Sequence, residues 1–440
     1  MKINRKKIWS LTWPVIIANL TIPLVGLTDT IIMGHMPNSV YIASIAIGGL
    51  IFNFIYAGLN FFRMGTTGIV AQKLGEKNAE EIFLSFLRPL ILSLIIGFLI
   101  ILAKKIIFQF SIYVLNPENQ IEQYLKEYFY IRIIGIPAGL VNLVFLGWFF
   151  GLQKSKFVML QIIIINISNI FFSFYLSVVL KQGIYGVALG SVLAQLSGFL
   201  ISILIFLKFY KNLNINIPVF KNILLLKPIL QLFNISKDLF LRTISLLIAK
   251  AFLFKKAITI GVNELATIEI LIVIFSISSS ILDAFAHTAE TTVGNAIGSK
   301  NRLKLKQSII YSSEIAFVFS ILISLILYIF KEQIIFLITD IDVLKILLNN
   351  IWFLVVLTPI ISVLAFQLDG IFIGATLSKE MRDSMILSGI LFYVLLEFVV
   401  KESLNIENLY FCFLFFLFAR GVILSFYIQK LFNLTNIKTS

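Results

Sequence analysis

The chain has one cysteine, two histidines and charged residues at only 13% of its positions, against 59% hydrophobic. A single thiol, Cys412, excludes an internal disulfide and a cysteine metal cluster, and within its Phe-rich segment it reads as a packing residue. His35 and His287 carry no ligand spacing around them, so no histidine metal site is expected. No H-E-x-x-H or G-x-S-x-G pattern occurs and the lone cysteine has no evident base, which argues against an enzyme. So little charge, with 43 phenylalanines, cannot be arranged around a soluble core; the solvent must be lipid.

What is present is apolar length. Mean hydropathy is +0.99. Crossing a hydrocarbon layer of about 30 Å takes about 20 residues in a helix. Stretches that meet this lie near 8–33, 42–64, 84–112, 128–151, 157–180, 184–208, 233–258, 264–297, 307–330, 346–375, 384–401 and 408–430. The expected fold is therefore an all-α polytopic membrane protein of about 12 transmembrane helices. No alternating ten-residue pattern appears, so a helical bundle is preferred to a β-barrel. The basic start runs into a segment broken by Pro14, Asn19, Pro23 and Asp29, which is not the pattern of a cleaved signal peptide.

The net charge of +14 is not spread evenly. Lysines and arginines crowd the loops on the side of the N-terminus, for example Lys73, Lys77, Lys154, Lys156, Lys300, Arg302, Lys304, Lys379 and Arg382, while opposite loops carry few. The positive-inside rule then places both termini in the cytoplasm. A basic rim against anionic lipid accounts for the charge without a nucleic-acid partner.

The chain also resembles itself. Gly75, Lys77 and Asn78 recur as Gly298, Lys300 and Asn301, and Gly147, Gly151, Ser155 and Lys156 recur as Gly370, Gly374, Ser378 and Lys379. One offset at seven identities describes two homologous six-helix lobes related by a pseudo-twofold axis, a plan common among secondary transporters. The expected division is an N-lobe over 1–212, a cytoplasmic connector over 213–232 and a C-lobe over 233–440.

Ionisable groups inside lipid-embedded helices are costly and normally mark a cavity or an ion path. Asp29 follows Pro23 and Gly26; Pro23 cannot donate to the Asn19 carbonyl, so this helix is expected to bend just before the carboxylate, with Asn19 and Pro23 lining a cavity. In the eighth span Glu269, Ser276, Asp283 and Glu290 recur every seven residues with His287 interleaved, one stripe of acids, a hydroxyl and an imidazole that should line the gap between lobes, with Ser276 and His287 facing that cavity, or pack against buried polar partners. Asp369 precedes a repeated glycine deep in the tenth span and is either a cation site or half of a salt bridge to a basic residue such as Lys250 or Arg420. Arg63, Arg132 and Arg242 either neutralise charge or snorkel.

Five segments, PLVGLTDTIIMGH (Pro23 to His35), FRMGTTGIVAQKLGEKN (Phe62 to Asn78), LGWFFGLQ (Leu146 to Gln153), LDAFAHTAET (Leu282 to Thr291) and LDGIFIGATLSKEMRDSM (Leu368 to Met385), together resemble the DinF-type branch of the multidrug and toxic compound extrusion (MATE) family. The resemblance covers nearly the whole chain. It implies two lobes forming a V-shaped cleft and export of organic, cationic or amphipathic compounds in exchange for H⁺ or Na⁺, by a monomeric, multi-pass protein of the bacterial cytoplasmic (inner) membrane without other cofactors. By the same resemblance Asp29 is similar to the helix-1 aspartate assigned the coupling ion, and Asn169 matches the asparagine of the helix-5 neighbourhood. Ser173 stands where many relatives carry a second aspartate, and Ser191 where a threonine is usual. The missing carboxylate favours a proton over Na⁺, since a hard cation prefers several charged or carbonyl oxygens. Asp369 is similar to a C-lobe aspartate used for cations, so Na⁺ at Asp29 or Asp369 stays open, as do proton roles for Asp283 and Glu290. The rivals are a flippase for lipid-linked precursors on the same architecture and a passive channel.

Overall fold

A computed structural model describes residues 3–34, 40–210, 225–399 and 404–435. His35 and residues 213–224 of the expected connector lie outside the described residues. Ten helices among those described are long and apolar enough to span a bilayer. Two more, Leu226–Ile260 and Ser378–Val394 with its π-helical extension Leu395–Val399, carry clustered charges and complete the twelve. The expected connector is too long at its C-terminal end: Leu226 to Leu232 already belong to a helix, and Pro228 is tolerated because it sits in the first turn, where no intrahelical donor is required.

The chain divides into two compact units, Pro14–Phe233 and a second made of Met1–Trp13 with Asn234–Ser440. Within the first unit run α1 (Arg5–Leu20, from Pro14 onward), α2 (Ile22–Gly34), α3 (Val40–Leu59), α4 (Phe61–Glu76), α5 (Ala79–Leu102), α6 (Lys104–Leu115), α7 (Asn119–Arg132), α8 (Ile136–Gly151), α9 (Ser155–Phe174) and α10 (Gly183–Tyr210). The first transmembrane segment breaks at Thr21, two residues before Pro23, and the Thr21 hydroxyl donates to the Ala18 carbonyl at 2.7 Å. The expected span 42–64 stops early, since after a turn at Asn60 the chain stays helical to Glu76. The core is aromatic: Phe86 packs on Phe145, Trp148 and Phe206 with ring centroids 5.0, 5.1 and 5.2 Å apart.

The second unit holds α11 (Leu226–Ile260, from Asn234 onward), α12 (Val262–Gly298), α13 (Arg302–Ile329), α14 (Lys331–Ile338), α15 (Asp342–Gly374), α16 (Ser378–Val394), α17 (Ile406–Ser425) and α18 (Ile428–Asn433). It also claims the start of the chain, where the expected N-lobe ran from residue 1. Thr12 shares a 2.8 Å hydrogen bond with Thr288, Trp9 stacks on Phe319 at 5.3 Å, and Arg5 pairs with Glu314 at 2.8 Å. Further ties are made by Arg382, which bridges to Asp238 at 2.6 Å while Ser378 donates to the same carboxylate at 3.1 Å.

The sequence repeat has a structural meaning in each unit. Gly147 presents its bare Cα to the backbone carbonyl of Arg63, and Gly151 faces the backbone nitrogen of Ala71. Gly370 and Gly374 face the backbone of Ala286 and Gly294, which stand at the same offset from Arg63 and Ala71. Each lobe thus seats one helix directly on another's backbone, the kind of close approach that small residues allow where lipid gives no hydrophobic drive for helix association. The turns repeat as well. Lys77 and Lys300 take left-handed φ of 59° and 49°, Gln153 and Thr376 take 59° and 56°, and each closes a helix by paired backbone bonds, as in Asn301 N to Ala296 O at 3.1 Å. Asn78 and Asn301 then cap the next helices, accepting from Glu81 N at 3.0 Å and Lys304 N at 2.8 Å.

Because the atoms opposite Gly147 and Gly370 are backbone and cannot swing away, Gly147→Ala and Gly370→Ala should each destabilise their lobe by about 1–3 kcal/mol or more, the usual range for overpacking. Thermal unfolding in detergent checks this. Gly389→Ala, where a Cβ meets nothing within 4 Å, serves as the control and should leave the midpoint level or slightly raised.

Candidate functional site

In the unit Pro14–Phe233 a cavity of about 470 Å³ opens among α2, α3, α7, α9 and α10. The break at Thr21 frees α2 to take its own direction and puts Pro23, Gly26 and Asp29 on the cavity wall. Across from them α3 supplies Asn53 and Tyr56, α7 supplies Tyr128 and Arg132, α9 supplies Asn166 and Asn169, and α10 supplies Ser191 and Gln195. The last two helices approach closely because Gly190 has no side chain: a Cβ there would come within 2.5 Å of the Ser173 backbone nitrogen.

Four residues singled out in the sequence meet here. Asp29 is 8% exposed, and its Oδ1 has no hydrogen-bond partner. Ser173, fully buried behind the wall, lies close enough to interact with the Asp29 carboxyl, and its hydroxyl too is without a hydrogen-bond partner. Asn169, one turn earlier on α9, donates to the Ser191 hydroxyl at 3.1 Å and leaves its own Oδ1 unpartnered. Unpaired oxygens in a buried position are costly, so their concentration marks a place where a proton, water or ligand group is accepted. Of the expected lining residues, Pro23 is on the wall, whereas Asn19 is buried and does not line the cavity.

The cavity also contains a cation for which the sequence allowed two roles. Arg132 lies within electrostatic range of Asp29, hydrogen-bonds the Tyr128 hydroxyl, and stands 4.7 Å from the Phe52 ring centroid and 5.3 Å from that of Tyr128. It is therefore held over aromatic faces beside the carboxylate rather than at a membrane rim. Tyr56, Tyr128, Asn53, Asn166 and Gln195 were not foreseen. Asn166, three residues before Asn169 on the same helix face, was the one with a signal, and it donates to Thr21 at 2.6 Å, pinning α9 to the break.

The remaining site residues lie in the other unit. Along α12 the polar stripe passes from exposed Glu269 and Ser276 to half-buried Asp283 and His287 and to Glu290, which is fully buried. Ser276 turns its hydroxyl onto the Val273 carbonyl at 2.8 Å. His287 Nδ1 stands 3.4 Å from Glu290 Oε2. Asp369, one of the two residues at which Na⁺ stayed open, is instead gripped by the guanidinium groups of Arg242 and Arg420. Two cations on one carboxylate repel a third, so the geometry follows the salt-bridge alternative, with Arg242 joining the anticipated Arg420.

Comparison with known proteins adds the family. The sequence profile of the MatE family matches twice, at residues 14–175 and 239–401, once in each half. DNA damage-inducible protein F of Escherichia coli (strain K12) is 30% identical over 380 residues, covering 86% of this chain and 83% of that protein. The probable multidrug resistance protein NorM of Bacillus subtilis (strain 168) is 26% identical over 212 residues, 47% of this chain and 46% of its own. In fold, an outward-facing multidrug resistance MATE transporter of the MOP superfamily superposes with a TM-score of 0.87 at 19% identity, over 98% of this chain and 97% of that one. A duplicated helical bundle, a buried carboxylate on a cavity and a family match in both halves agree: the chain belongs to the MatE family of multidrug and toxic compound extrusion transporters.

Proposed function

We propose that this transporter is a proton-coupled antiporter that exports organic, cationic or amphipathic compounds from the cytoplasm across the bacterial inner membrane, both termini cytoplasmic. The observation that carries the reading is Asp29, a buried carboxylate with one unpartnered oxygen, on a cavity large enough for a small organic molecule. Protonated, Asp29 removes the negative charge that holds a cationic substrate; deprotonated, it restores it. One group that binds either a proton or a cargo cation, but not both, links the two fluxes as alternating access proceeds.

A proton fits the donor set better than Na⁺. Among the described residues Asp29 is the one carboxylate on the cavity wall; its neighbours Asn169, Ser173 and Ser191 are neutral, and Arg132 stands beside it. A proton needs a single acceptor, whereas Na⁺ would have to gather several oxygens next to a guanidinium. Arg132 has a further use in this scheme: it attracts the carboxylate once the proton has left, so that the empty cavity does not hold an uncompensated charge. Tyr56 and Tyr128 offer flat apolar faces for varied cargo. The break at Thr21–Pro23 is the hinge by which α2 moves Asp29 between wetter and drier surroundings.

In proteoliposomes loaded with a fluorescent organic cation, an imposed ΔpH should drive uphill efflux and an imposed ΔNa⁺ should not. Asp29→Asn should lower ΔpH-driven efflux at least about tenfold, each factor of ten being 1.4 kcal/mol of lost driving interaction, while the protein still inserts. Unchanged ΔpH-driven efflux in that variant would remove Asp29 from the mechanism, and fluorescent-lipid translocation without cation efflux would favour a flippase. Ser173→Asp, which supplies the second carboxylate that the family often has, should confer a ΔNa⁺ response absent from the parent protein.

A further inference from the structure

The two units differ at a place where the repeat would have them match. In the unit formed by Met1–Trp13 and Asn234–Ser440, the start of α1 is seated by Arg5, whose guanidinium lies 5.2 Å from the Tyr311 ring centroid and pairs with Glu314 at 2.8 Å. In the same unit the Ser308 hydroxyl donates to the Lys304 and Thr292 carbonyls at 2.8 and 3.3 Å. The repeat matches Arg5 to Pro228, Tyr311 to Arg88 and Ser308 to Ser85, all three in the unit Pro14–Phe233. Pro228 has no side chain long enough to fill such a seat, and there a cavity of about 240 Å³ remains between α4, α5 and the first turns of α11.

The wall of this cavity is cationic and partly unsatisfied. Lys73, Arg88 and Lys227 line it against a single carboxylate among the described residues, Glu81. Arg88 pairs with Glu81 at 3.1 Å and Lys73 with Glu76 at 2.8 Å, which leaves Lys227 as the one lining cation without an ion pair among the described residues. The surroundings are therefore net positive even with Glu76 counted. Ser85 is 5% exposed, and its hydroxyl, unlike that of Ser308, has no hydrogen-bond partner. A buried hydroxyl left unpaired is costly, and on a cavity wall it marks where a ligand group completes it. Arg88, 7% exposed, forms the floor, while Lys227 and Gln231 are exposed at the mouth. Because α11 begins here, the positive end of its backbone dipole adds to the field.

Donors and place together select the ligand. A guanidinium at depth, ammonium groups at the rim, a hydroxyl and an amide suit the several oxygens of a phosphate. Lys73 lies in the last turn of α4, next to the basic turn at Lys77, on a membrane face where basic pockets between helices meet lipid phosphates. We infer that Lys73, Arg88, Lys227 and Ser85 form a binding site for a phosphate group, either the headgroup of an anionic phospholipid or a free phosphate. Bound there, the phosphate ties the start of α11 to α4 and α5, as Arg5 ties the start of α1 to α13. The site shares no lining residue with the cavity around Asp29 and does not depend on proton coupling.

The test uses the full-length protein in detergent, with native mass spectrometry counting bound dioleoylphosphatidylglycerol and titration calorimetry following inorganic phosphate. Saturable binding at one site is expected. Lys227→Gln, which removes an exposed charge, and Ser85→Leu, which fills the cavity at constant charge, should each weaken it about tenfold. Lys306→Gln, an exposed lysine on α13 that does not line the cavity, should leave it level. General attraction to a basic surface predicts equal small losses in Lys227→Gln and Lys306→Gln and none in Ser85→Leu; that pattern, or no saturable binding of either probe, would overturn the assignment. Lipid retention without phosphate binding assigns the site to a headgroup, phosphate binding without lipid retention assigns it to a soluble phosphate, and mutual competition shows that the phosphate group itself is what the site reads.

Discussion

Lipid cannot solvate a carboxylate, so an acid inside a membrane lobe must either be clasped by cations or keep contact with a polar cavity. Asp369 and Asp29 take one course each. Asp369 is held by two arginines from two helices, which anchors α15 to α11 and α17. Asp29 keeps an oxygen unpaired on a cavity wall and sits beside an arginine that is itself occupied by aromatic rings and a tyrosine hydroxyl. The same residue type is thus clasped in one lobe and left with an unpaired oxygen in the other, and the difference lies in which neighbours are charged.

Within each lobe, close packing comes from backbone-to-backbone contact at the glycine pairs Gly147/Gly151 and Gly370/Gly374, where lipid offers no hydrophobic drive and tight contact must substitute for it. The first transmembrane segment is shared: its Arg5–Trp13 portion is tied to one unit by Arg5, Trp9 and Thr12, from Pro14 onward it belongs to the other, and its helix stops at Leu20 before a turn at Thr21. Pro14 within the helix and the turn before Pro23 each remove backbone hydrogen bonds, so this segment is locally weaker than the glycine contacts.

Much of the candidate site was legible because lipid makes polar residues conspicuous. Asp29 stood out in an apolar run, Pro23 announced the bend, and the resemblance pointed to Asn169, Ser173 and Ser191, which fold together. Arg132, Tyr56 and Tyr128 were harder to read. An arginine near a helix end looks the same in sequence whether it snorkels to the surface or turns inward, and a buried tyrosine reads as ordinary core. The every-seventh stripe on α12 was a correct reading of helix periodicity but says nothing about depth, and exposure falls along it from Glu269 and Ser276 to Glu290.

The sequence by itself determined the solvent, the twelve helices, the duplication and the family, because apolar length, repeated glycines and turn residues are local properties that survive without knowing any contact. Even the left-handed turns at Lys77 and Lys300 coincide with that repeat. Only the tertiary structure decided the state of each buried charge. Whether Asp369 binds a cation or is already occupied depends on residues more than a hundred positions away in one direction and about fifty in the other, brought to it by helix packing. Electrostatic pairing acts over a few ångströms in space and leaves no periodic trace along the chain.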